Sequence, residues 1–239
     1  MKKIVVAAAA VLLILTGIAL LFLRQTSFGY SGVIEAVEVD VSARLDDIIA
    51  KLNIDEGSLV KKGDVLAELE CKSARLQYDI AEKEYERAQN LLKNSAGSQE
   101  NYDLKKYRYD SAALAKSWCA VASPLEGRVL YKYYEQGDFI ASGRKLATVA
   151  DLSFVNAWVY VEHDFLSEIS PGRKIKGCLP QAGKCYDGVI LTINDEAEFT
   201  PKNVQTRKER SRLVFGVKTR FENDDARTLK PGMTVEVSF

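Results

Sequence analysis

Residues that commonly build metal and nucleophilic sites are scarce in this chain. Its 239 residues include one histidine and four cysteines, and no two cysteines form a Cys-x-x-Cys pair, so a zinc site is not expected. The sequence also has no P-loop, no serine nucleophile elbow and no paired-carboxylate motif. We therefore predict that the protein is not an enzyme and that it has no catalytic residue, cofactor or metal.

An excess of positive charge is missing as well. The 33 lysine and arginine residues are balanced by 33 aspartate and glutamate residues, whereas binding to DNA requires an excess of cations that displaces counterions. Disorder is also unexpected, because 47% of the residues are hydrophobic and the charges are of mixed sign. We predict a folded protein without a nucleic-acid partner.

The histidine lies in the triplet Glu162-His163-Asp164. These three side chains could act as a metal or acid–base cluster. The simpler interpretation, which we favour, is a solvated turn that opens a short surface helix before Pro171.

Much of the hydrophobic content lies in one uncharged run from Ile4 to Leu23, preceded by Lys2 and Lys3. As a helix, this run spans the ~30 Å hydrocarbon core of a bilayer. The alternative is a cleaved signal peptide, whose apolar region typically has ~7–15 residues and ends at a small-x-small site. Ser27-Phe28-Gly29 is a poor site of that kind. We predict an uncleaved transmembrane anchor and linker over residues 1–29, in a bacterial inner membrane, with the bulk of the chain in the periplasm.

Two stretches of the exported chain, residues 30–70 and 119–150, are predicted to form one β domain in two halves. Both are rich in β-branched residues and are punctuated by glycine turns. They also look like copies of each other, which indicates an internal repeat. In this alignment Val60–Ala67 pairs with Ile140–Ala147, and Asp55–Leu59 pairs with Tyr134–Asp138.

The intervening residues 71–118 are predicted to form an α-helical hairpin. They contain no proline, and two series of positions recur at the 3-4 spacing of a coiled-coil seam: Tyr78, Ala81, Tyr85, Ala88 and Leu92, then Leu104, Tyr107, Ser111, Leu114 and Trp118. Asn94-Ser95-Ala96-Gly97 interrupts the pattern, so the two arms should be antiparallel with their tip near residue 95. Charged faces opposite the seam favour a projecting hairpin over one packed flat on a core.

Residues 151–239 are predicted to form a separate β-barrel. Several short strands follow one another here, and Pro171-Gly172 and Pro231-Gly232 turn into two of them. The predicted fold class is therefore mainly β with an inserted helical hairpin.

The cysteines fall into two predicted pairs. Cys71 and Cys119 straddle the hairpin symmetrically, so an antiparallel arrangement brings them level at its base, within the ~4.4–6.8 Å between Cα atoms that a disulfide needs. Cys178 and Cys185 flank a short connection between strands. In an oxidising compartment we expect two disulfides; four buried thiols are the alternative.

Together these features resemble the membrane fusion proteins, also called periplasmic adaptors or the HlyD family. The resemblance covers essentially the whole chain, and the segments that carry it are Glu56-Gly57, Val60–Leu66, Ser123–Val129, Phe199–Thr206 and Leu229–Met233. It implies a biotinyl/lipoyl-like sandwich for the two repeat halves. The segment Phe199–Thr206 is similar to adaptors that serve ABC exporters rather than proton-driven pumps.

The resemblance also implies a docking motif at the hairpin tip. The family contacts a TolC-type outer-membrane channel through an arginine, a leucine and a serine at fixed offsets, which Arg87, Leu91 and Ser98 match. Arg87 would reach acceptors on a partner helix, Leu91 would fill its groove, and Ser98 would cap the returning helix. The alternative is that Arg87 is a solvated residue, Leu91 flanks the seam and Ser98 is only a helix cap.

A lipoyl-like sandwich raises the separate hypothesis of a cofactor carrier. Glu70-Cys71-Lys72-Ser73-Ala74 resembles the lysine-bearing turn of lipoyl domains. Here helices replace that exposed turn, and a carrier has no need of an anchor, so we do not expect Lys72 to be modified.

The function implied by the resemblance is that of a non-catalytic adaptor in a tripartite efflux or secretion system. Its partners would be an inner-membrane ABC-type permease and ATPase, a TolC-type outer-membrane channel, and further copies of itself as a trimer or hexamer. Flexible joints would be expected near Cys71/Cys119 and Ala150-Asp151. The alternative is a membrane-anchored binding or assembly protein that self-associates through its hairpin without an outer-membrane channel.

Overall fold

The computed structural model describes residues 29–199, 213–224 and 226–239. The predicted anchor of residues 1–29 lies outside this range except for Gly29, as does most of the segment Phe199–Thr206. Within the described residues, none of the helices combines the length and the apolar character needed to cross a membrane.

The described residues form twelve strands, two α-helices and one short 3-10 helix. In chain order the elements are β1 (Tyr30–Ser42), β2 (Asp47–Leu52), β3 (Leu59–Val60), β4 (Val65–Leu69), α1 (Lys72–Lys93), α2 (Gln99–Ser117), β5 (Ala120–Ala122), β6 (Gly127–Lys132), β7 (Phe139–Ile140), β8 (Lys145–Glu162), the 3-10 helix (His163–Glu168), β9 (Lys174–Leu179), β10 (Lys184–Phe199), β11 (Leu213–Glu222) and β12 (Thr234–Ser238). The fold is mainly β with an inserted helical hairpin, as the sequence predicts. It divides into two compact units, Ala36–Ser153 and the remainder.

The unit Ala36–Ser153 contains a sandwich built from two equivalent halves. One sheet has the strand order β5-β4-β2-β7, and the other has β3-β6-β8 with β8 also paired with β1. Each strand of the first half therefore has a counterpart at the same place in the opposite sheet: β1 with β5, β2 with β6, β3 with β7 and β4 with β8. The two halves interlock, since each sheet contains strands from both.

Backbone hydrogen bonds define the alignment of the repeat. The N–H of Gly57 donates to the carbonyl of Val129 at 2.8 Å, and the N–H of Gly137 donates to the carbonyl of Ile49 at 2.9 Å. Gly57 and Gly137 are thus equivalent, which pairs Asp55 with Glu135. The sequence alignment of this turn, which paired Asp55 with Tyr134, was wrong by one residue. It matched Glu56, which directly precedes Gly57, with Glu135, which lies two positions before Gly137. The pairing of Val60–Ala67 with Ile140–Ala147 has the correct register.

The core of the sandwich repeats in the same way. Equivalent pairs of side chains are fully buried between the sheets: Ile49 with Val129, Leu66 with Leu146, and Leu69 with Val149. Burying each such side chain contributes about 1.5–3 kcal/mol. The alternation of these residues along short strands is what directs one face of each sheet inward.

The first arm of the hairpin uses the predicted seam, whereas the second does not. Ala81 and Ala88 of α1 are buried, but Leu104, Tyr107 and Leu114 of α2 are exposed. The side chains of α2 that contact α1 instead include those of Tyr102, Lys105 and Tyr109. The predicted seam of α2 was therefore wrong, because the apolar 3-4 pattern chosen there belongs to the outer face of the helix.

The second unit comprises the described residues up to Glu35 together with Phe154–Phe239. Its strands have the order β1-β12-β9-β10-β11-β8, and β1 and β8 at the two ends are themselves paired. A Cβ on Gly32 would lie 2.7 Å from the carbonyl oxygen of Trp158, so these end strands approach closely. Tyr30–Glu35 thus packs in this unit rather than in the sandwich to which the sequence prediction assigned it.

Phe221 is the largest fully buried side chain of the second unit. Its ring occupies the space beside Gly177 and Gly188, where a Cβ at either position would collide with it. Two residues without side chains therefore make room for one aromatic ring in this core.

Candidate docking site at the hairpin tip

Four tyrosines hold the two arms of the hairpin together. The hydroxyl groups of Tyr78 and Tyr109 lie 3.2 Å apart, and those of Tyr85 and Tyr102 lie 3.1 Å apart. The rings of Tyr85 and Tyr109 stack with their centroids 5.1 Å apart. Hydrogen bonding to Tyr102, followed by desolvation, raises the pKa of Tyr85. Aromatic area and paired hydroxyls thus replace the leucines of an ordinary coiled coil, and they fix the relative level of the two helices.

An ion pair joins the arms between the two tyrosine pairs. Lys105 Nζ lies 2.7 Å from Glu84 Oε2, and this contact, the largest cause, lowers the pKa of Glu84. Lys105 is only 21% exposed along its side chain, because its methylene stem packs in the seam while its charged end reaches the carboxylate.

The tip itself is a tight turn between α1 and α2. Ser95 has φ 56°, and the N–H of Ala96 donates to the carbonyl of Leu91 at 2.8 Å. Ser98 then adopts an extended backbone, and its hydroxyl accepts a hydrogen bond from the N–H of Asn101 at 3.2 Å. Such a bond satisfies one of the free donors at a helix N-terminus. Ser98 therefore caps α2.

The structure brings Arg87 and Leu91 together in one open groove of about 220 Å³. Its lining residues are Glu84, Arg87, Ala88, Leu91, Asn101 and Lys105, and Ser98 is not among them. Leu91 is 47% exposed, so an apolar side chain is available to a partner at the tip. Arg87 Nε donates to the carbonyl of Lys83 at 3.1 Å, which orients the guanidinium along the outside of α1.

Cys71 and Cys119 lie where the hairpin meets the sandwich. Their sulfur atoms are bonded, and their Cα atoms are 5.9 Å apart. The N–H of Cys71 donates to Asp47 Oδ2 at 2.8 Å. Lys72 is the first residue of α1, not part of an exposed strand turn, and pairs with Glu70 at 2.7 Å.

Cys178 and Cys185 are directly opposite each other in the pairing of β9 with β10. Their Cα atoms are 4.0 Å apart and their sulfur atoms are bonded. The bond thus closes the turn between these two strands.

His163 begins the 3-10 helix His163–Glu168, whose residues are not buried. The ring of His163 faces that of Phe215 with the centroids 6.3 Å apart. A short surface helix before Pro171 is thus confirmed.

The hairpin has an apolar outer surface that was not predicted from the sequence. Leu76 and Ile80 on α1 and Leu104, Tyr107 and Leu114 on α2 are all exposed. The signal was present in the sequence, because these residues also recur at intervals of three and four. We assigned the α2 series to the seam, where tyrosines and a lysine in fact lie.

Comparison with known families explains the combination of split sandwich and inserted hairpin. Residues 37–152 match the family model described as the barrel-sandwich hybrid domain of RND membrane fusion proteins. The sandwich and hairpin are those of a membrane fusion protein. The family resemblance drawn from the sequence is confirmed.

Similar proteins are found among membrane proteins and adaptor structures. The UPF0194 membrane protein YbhG of Salmonella gallinarum is 28% identical over an alignment of 329 residues that covers 100% of this chain and 98% of that protein. A MacA-MexA chimeric protein containing the Pseudomonas aeruginosa MexA α-hairpin domain is 22% identical, with a TM-score of 0.69 over 87% of this chain and 78% of that chain. The membrane fusion protein Spr0693 of Streptococcus pneumoniae R6 is 18% identical, with a TM-score of 0.63 over 88% and 97%. The two structures share the fold of this chain.

Proposed function

We propose that this chain is the non-catalytic adaptor subunit of a tripartite efflux or secretion system. It links an inner-membrane ABC-type transporter to a TolC-type outer-membrane channel, and it acts as a homo-oligomer in the periplasm. The uncharged run Ile4–Leu23 serves as its anchor. Membership of the membrane fusion protein fold supports this assignment of class, while the partners are inferences from the hairpin and the sequence.

The observation that carries the proposal is the shared groove of Arg87 and Leu91 at the tip. A partner helix that lies in this groove would bury the exposed part of Leu91 and place acceptors beside the guanidinium of Arg87. Ser98 contributes by capping α2, which holds the tip turn in one conformation. The apolar contact of Leu91 would supply the affinity for the partner helix. The directional hydrogen bonds of Arg87 would set the position of that helix along the groove.

The hairpin suits a coupling role because it is a stiff element. Its tyrosine pairs and the Glu84–Lys105 ion pair cross the seam at several levels, and Cys71 and Cys119 join the arms at the base. A movement imposed on the sandwich would therefore reach the tip as a displacement of the whole hairpin. The energy for that movement comes from the transporter.

The transporter partner could be an ATP-driven ABC exporter or a proton-driven pump, and an experiment distinguishes the two classes. The similarity of Phe199–Thr206 to adaptors of ABC exporters favours an ATP-driven partner, whereas the matching family model is named after the RND type. Affinity purification of the full chain after chemical cross-linking in cells should recover an ATPase and a permease. Recovery of a proton-driven pump instead would overturn the ABC assignment and leave the adaptor role intact.

Replacement of Leu91 tests the docking site. Leu91→Asp places a carboxylate in the apolar part of the groove and should abolish export, while folding and oligomerisation stay unchanged. Asn90→Asp is the matched control, because it adds the same charge at the adjacent exposed position with almost no change in size. Normal export by the Leu91→Asp variant would refute docking through the tip.

A second candidate is a self-associating assembly protein without an outer-membrane channel. The exposed apolar residues along the sides of the hairpin favour self-association, which both candidates share. They differ at the tip, since only an adaptor needs Leu91 for a contact with a different protein. Unimpaired cellular function of the Leu91→Asp variant, together with loss of function when the outer hairpin surface is altered, would favour this second candidate.

A further inference from the structure

The two disulfides of this chain differ in how closely solvent approaches them. Cys71 is 1% exposed and Cys119 is 7% exposed, so their bond lies in the core of the sandwich. In the second unit, by contrast, Cys185 is exposed and its partner Cys178 is half-buried. A thiolate in solution can therefore approach the second bond while the protein stays folded, whereas the first bond becomes accessible only after a local opening.

Strand alternation explains why the bond between Cys178 and Cys185 lies on the outer surface of the second unit. Leu179, the neighbour of Cys178 on β9, packs in the core. Tyr186, the neighbour of Cys185 on β10, does the same. Because successive side chains of a strand point to opposite faces, both cysteines point outward.

The two sulfur atoms are not equally accessible. Cys178 lies between two paired strands, since Cys185 of β10 is opposite it on one side and Glu236 of β12 on the other. On the far side of β10, the pairing with β11 runs from Gly188 to Phe199 and does not extend to Cys185. Cys185 thus has a paired strand on one side only, which accounts for its greater exposure.

Two charged residues lie next to the bond. Glu236, opposite Cys178, is exposed, and Lys184, adjacent to Cys185, is paired with Asp224 at 2.6 Å. Solvent screens the charge of Glu236, and the carboxylate of Asp224 offsets that of Lys184. Access, rather than charge, therefore decides which sulfur an external thiolate attacks.

Other contacts keep the turn closed when this bond is broken. The pairing of β9 with β10 extends from Lys174 opposite Val189 to Leu179 opposite Lys184, and the N–H of Gly183 donates to the carbonyl of Leu179 at 2.9 Å. The bond joins cysteines separated by 7 residues, so it restricts the unfolded chain less than the bond across 48 residues at the base of the hairpin. Reduction should therefore leave the two thiols opposite each other on a folded pair of strands.

We propose that Cys178 and Cys185 form a thiol-exchange site, a reversible disulfide that reacts with low-molecular-weight thiols of the glutathione type. The thiolate of the small thiol attacks Cys185 Sγ, the bond between the two cysteines breaks, and the electron pair leaves on Cys178 Sγ, which takes a proton from water. A second thiolate attacks the sulfur of the small thiol in the mixed disulfide and releases Cys185. Two small thiols are thus oxidised to one disulfide, and Cys178–Cys185 is reduced to two thiols.

Time-resolved alkylation of the folded, detergent-solubilised full chain tests the site. The protein is incubated with reduced glutathione, samples are quenched and alkylated, and mass spectrometry of the peptides follows each cysteine. Cys178 and Cys185 should become alkylated at least about tenfold faster than Cys71 and Cys119, because the exposed bond reacts without any opening of the fold. Equal rates, or a faster reaction of Cys71 and Cys119, would overturn the proposal.

The same experiment in denaturant is the control for access. Unfolding exposes both bonds, so the difference between their rates should shrink to a small fraction of its value in the folded protein. A difference that persists undiminished in denaturant would also overturn the proposal, since the fold would not be its cause.

A matched pair of variants tests which sulfur is attacked. Cys178→Ser and Cys185→Ser each lose the bond and keep one of its two thiols. Oxidised glutathione should form a mixed disulfide faster with the Cys178→Ser variant, whose remaining thiol is the exposed Cys185. A faster reaction of the Cys185→Ser variant would overturn the assignment of Cys185 as the attacked sulfur.

Reversibility has a separate readout. The circular dichroism of the β strands should be unchanged when this bond alone is reduced, and oxidised glutathione should restore the bond between the same two cysteines. Loss of β structure on reduction, or re-oxidation into pairs with Cys71 or Cys119, would contradict a reversible site. The proposal goes beyond the adaptor role, and because neither a transporter nor a channel takes part in these measurements, their outcome is independent of it.

Discussion

The Cα atoms of Cys71 and Cys119 lie 5.9 Å apart at the base of the hairpin, and their sulfur atoms are bonded. Hydrogen bonds from the N–H of Cys71 to Asp47 and from the N–H of Leu69 to the carbonyl of Cys119 tie the same residues to the sandwich. The adaptor mechanism led us to expect a flexible joint here. These two hydrogen bonds, together with the disulfide that holds the two arms at the base, favour a stiff joint instead.

We predict that this disulfide forms in the exported protein and stabilises it. Unreduced protein should resist alkylation at all four cysteines, and the double variant Cys71→Ser/Cys119→Ser should lose up to about 4 kcal/mol of unfolding free energy, the value that loop-closure entropy gives for cysteines 48 residues apart. Denaturant titration followed by circular dichroism measures the loss. Alkylation of Cys71 or Cys119 without prior reduction would show that the bond does not form.

The same variant tests the stiffness of the joint. Spin labels on genetically encoded residues at the hairpin tip and on the sandwich should give a narrow distance distribution in the oxidised protein and a broader one in Cys71→Ser/Cys119→Ser. The variant Cys178→Ser/Cys185→Ser is the control, because it removes a disulfide that lies outside this unit. Equal widths in all three proteins would argue that the hydrogen bonds alone hold the joint.

The repeat in the sandwich predicts matched effects of two distant glycines. Gly57 and Gly137 have φ values of +87° and +95°, with nothing within 4 Å of an added Cβ at either position. Replacing either by alanine should therefore cost only the strain of a left-handed backbone, about 1–2 kcal/mol. Gly127→Ala should cost more, because its Cβ would also collide with the carbonyl of Ala150. Unfolding free energies that differ strongly between Gly57→Ala and Gly137→Ala would contradict the equivalence of the two halves.

The tyrosine seam predicts a loss of hairpin stability at alkaline pH. Hydrogen bonding to Tyr102 raises the pKa of Tyr85 above its usual value of 10.0, and hydrogen bonds to Tyr109 and Glu82 raise that of Tyr78. A raised pKa in the folded state gives stability that is fully present below the unfolded pKa near 10 and is lost as the pH rises through the folded pKa. Thermal unfolding of the helices should therefore occur at a lower temperature at pH 11 than at pH 8.

The double variant Tyr85→Phe/Tyr102→Phe is the control for this pH effect. It removes one hydroxyl pair, keeps the rings and leaves no buried hydroxyl without a partner, so its stability at pH 8 should change little. A drop between pH 8 and pH 11 as large as that of the wild type would rule out these hydroxyl groups as its source.

The sequence predicts the hairpin well but only half of its packing. Both helices and the tip near residue 95 follow from local pattern, and so does the seam of α1, where the buried Ala81 and Ala88 have the predicted spacing. In α2 two stripes compete, and the more apolar one, with Leu104 and Tyr107, is exposed. The side chains of Tyr102, Tyr109 and Lys105 lie in the seam because their polar ends form hydrogen bonds with residues of α1. The sequence of either helix alone does not show these hydrogen bonds.

The repeat shows a similar limit within the sandwich. Glycine turns and alternating residues are sufficient to detect two halves, yet the turn at Gly137 was aligned one residue out because only the hydrogen bond to Ile49 fixes its register. At the tip, the spacing of Arg87 and Leu91 predicts that the two side chains share one surface, and both of them line the groove. The N-cap of Ser98 is a local feature, and local features are the ones that sequence predicts best.

The proposed adaptor function requires that the hairpin tip binds an outer-membrane channel. Ala96 is exposed in the tip turn, so a photocross-linker at this position in the full chain, activated in cells, samples whatever lies against the tip. The adaptor account predicts a cross-linked TolC-type channel, with capture lost in the Leu91→Asp variant and kept in Asn90→Asp. Cross-links only to other copies of this chain, unchanged by Leu91→Asp, would contradict it.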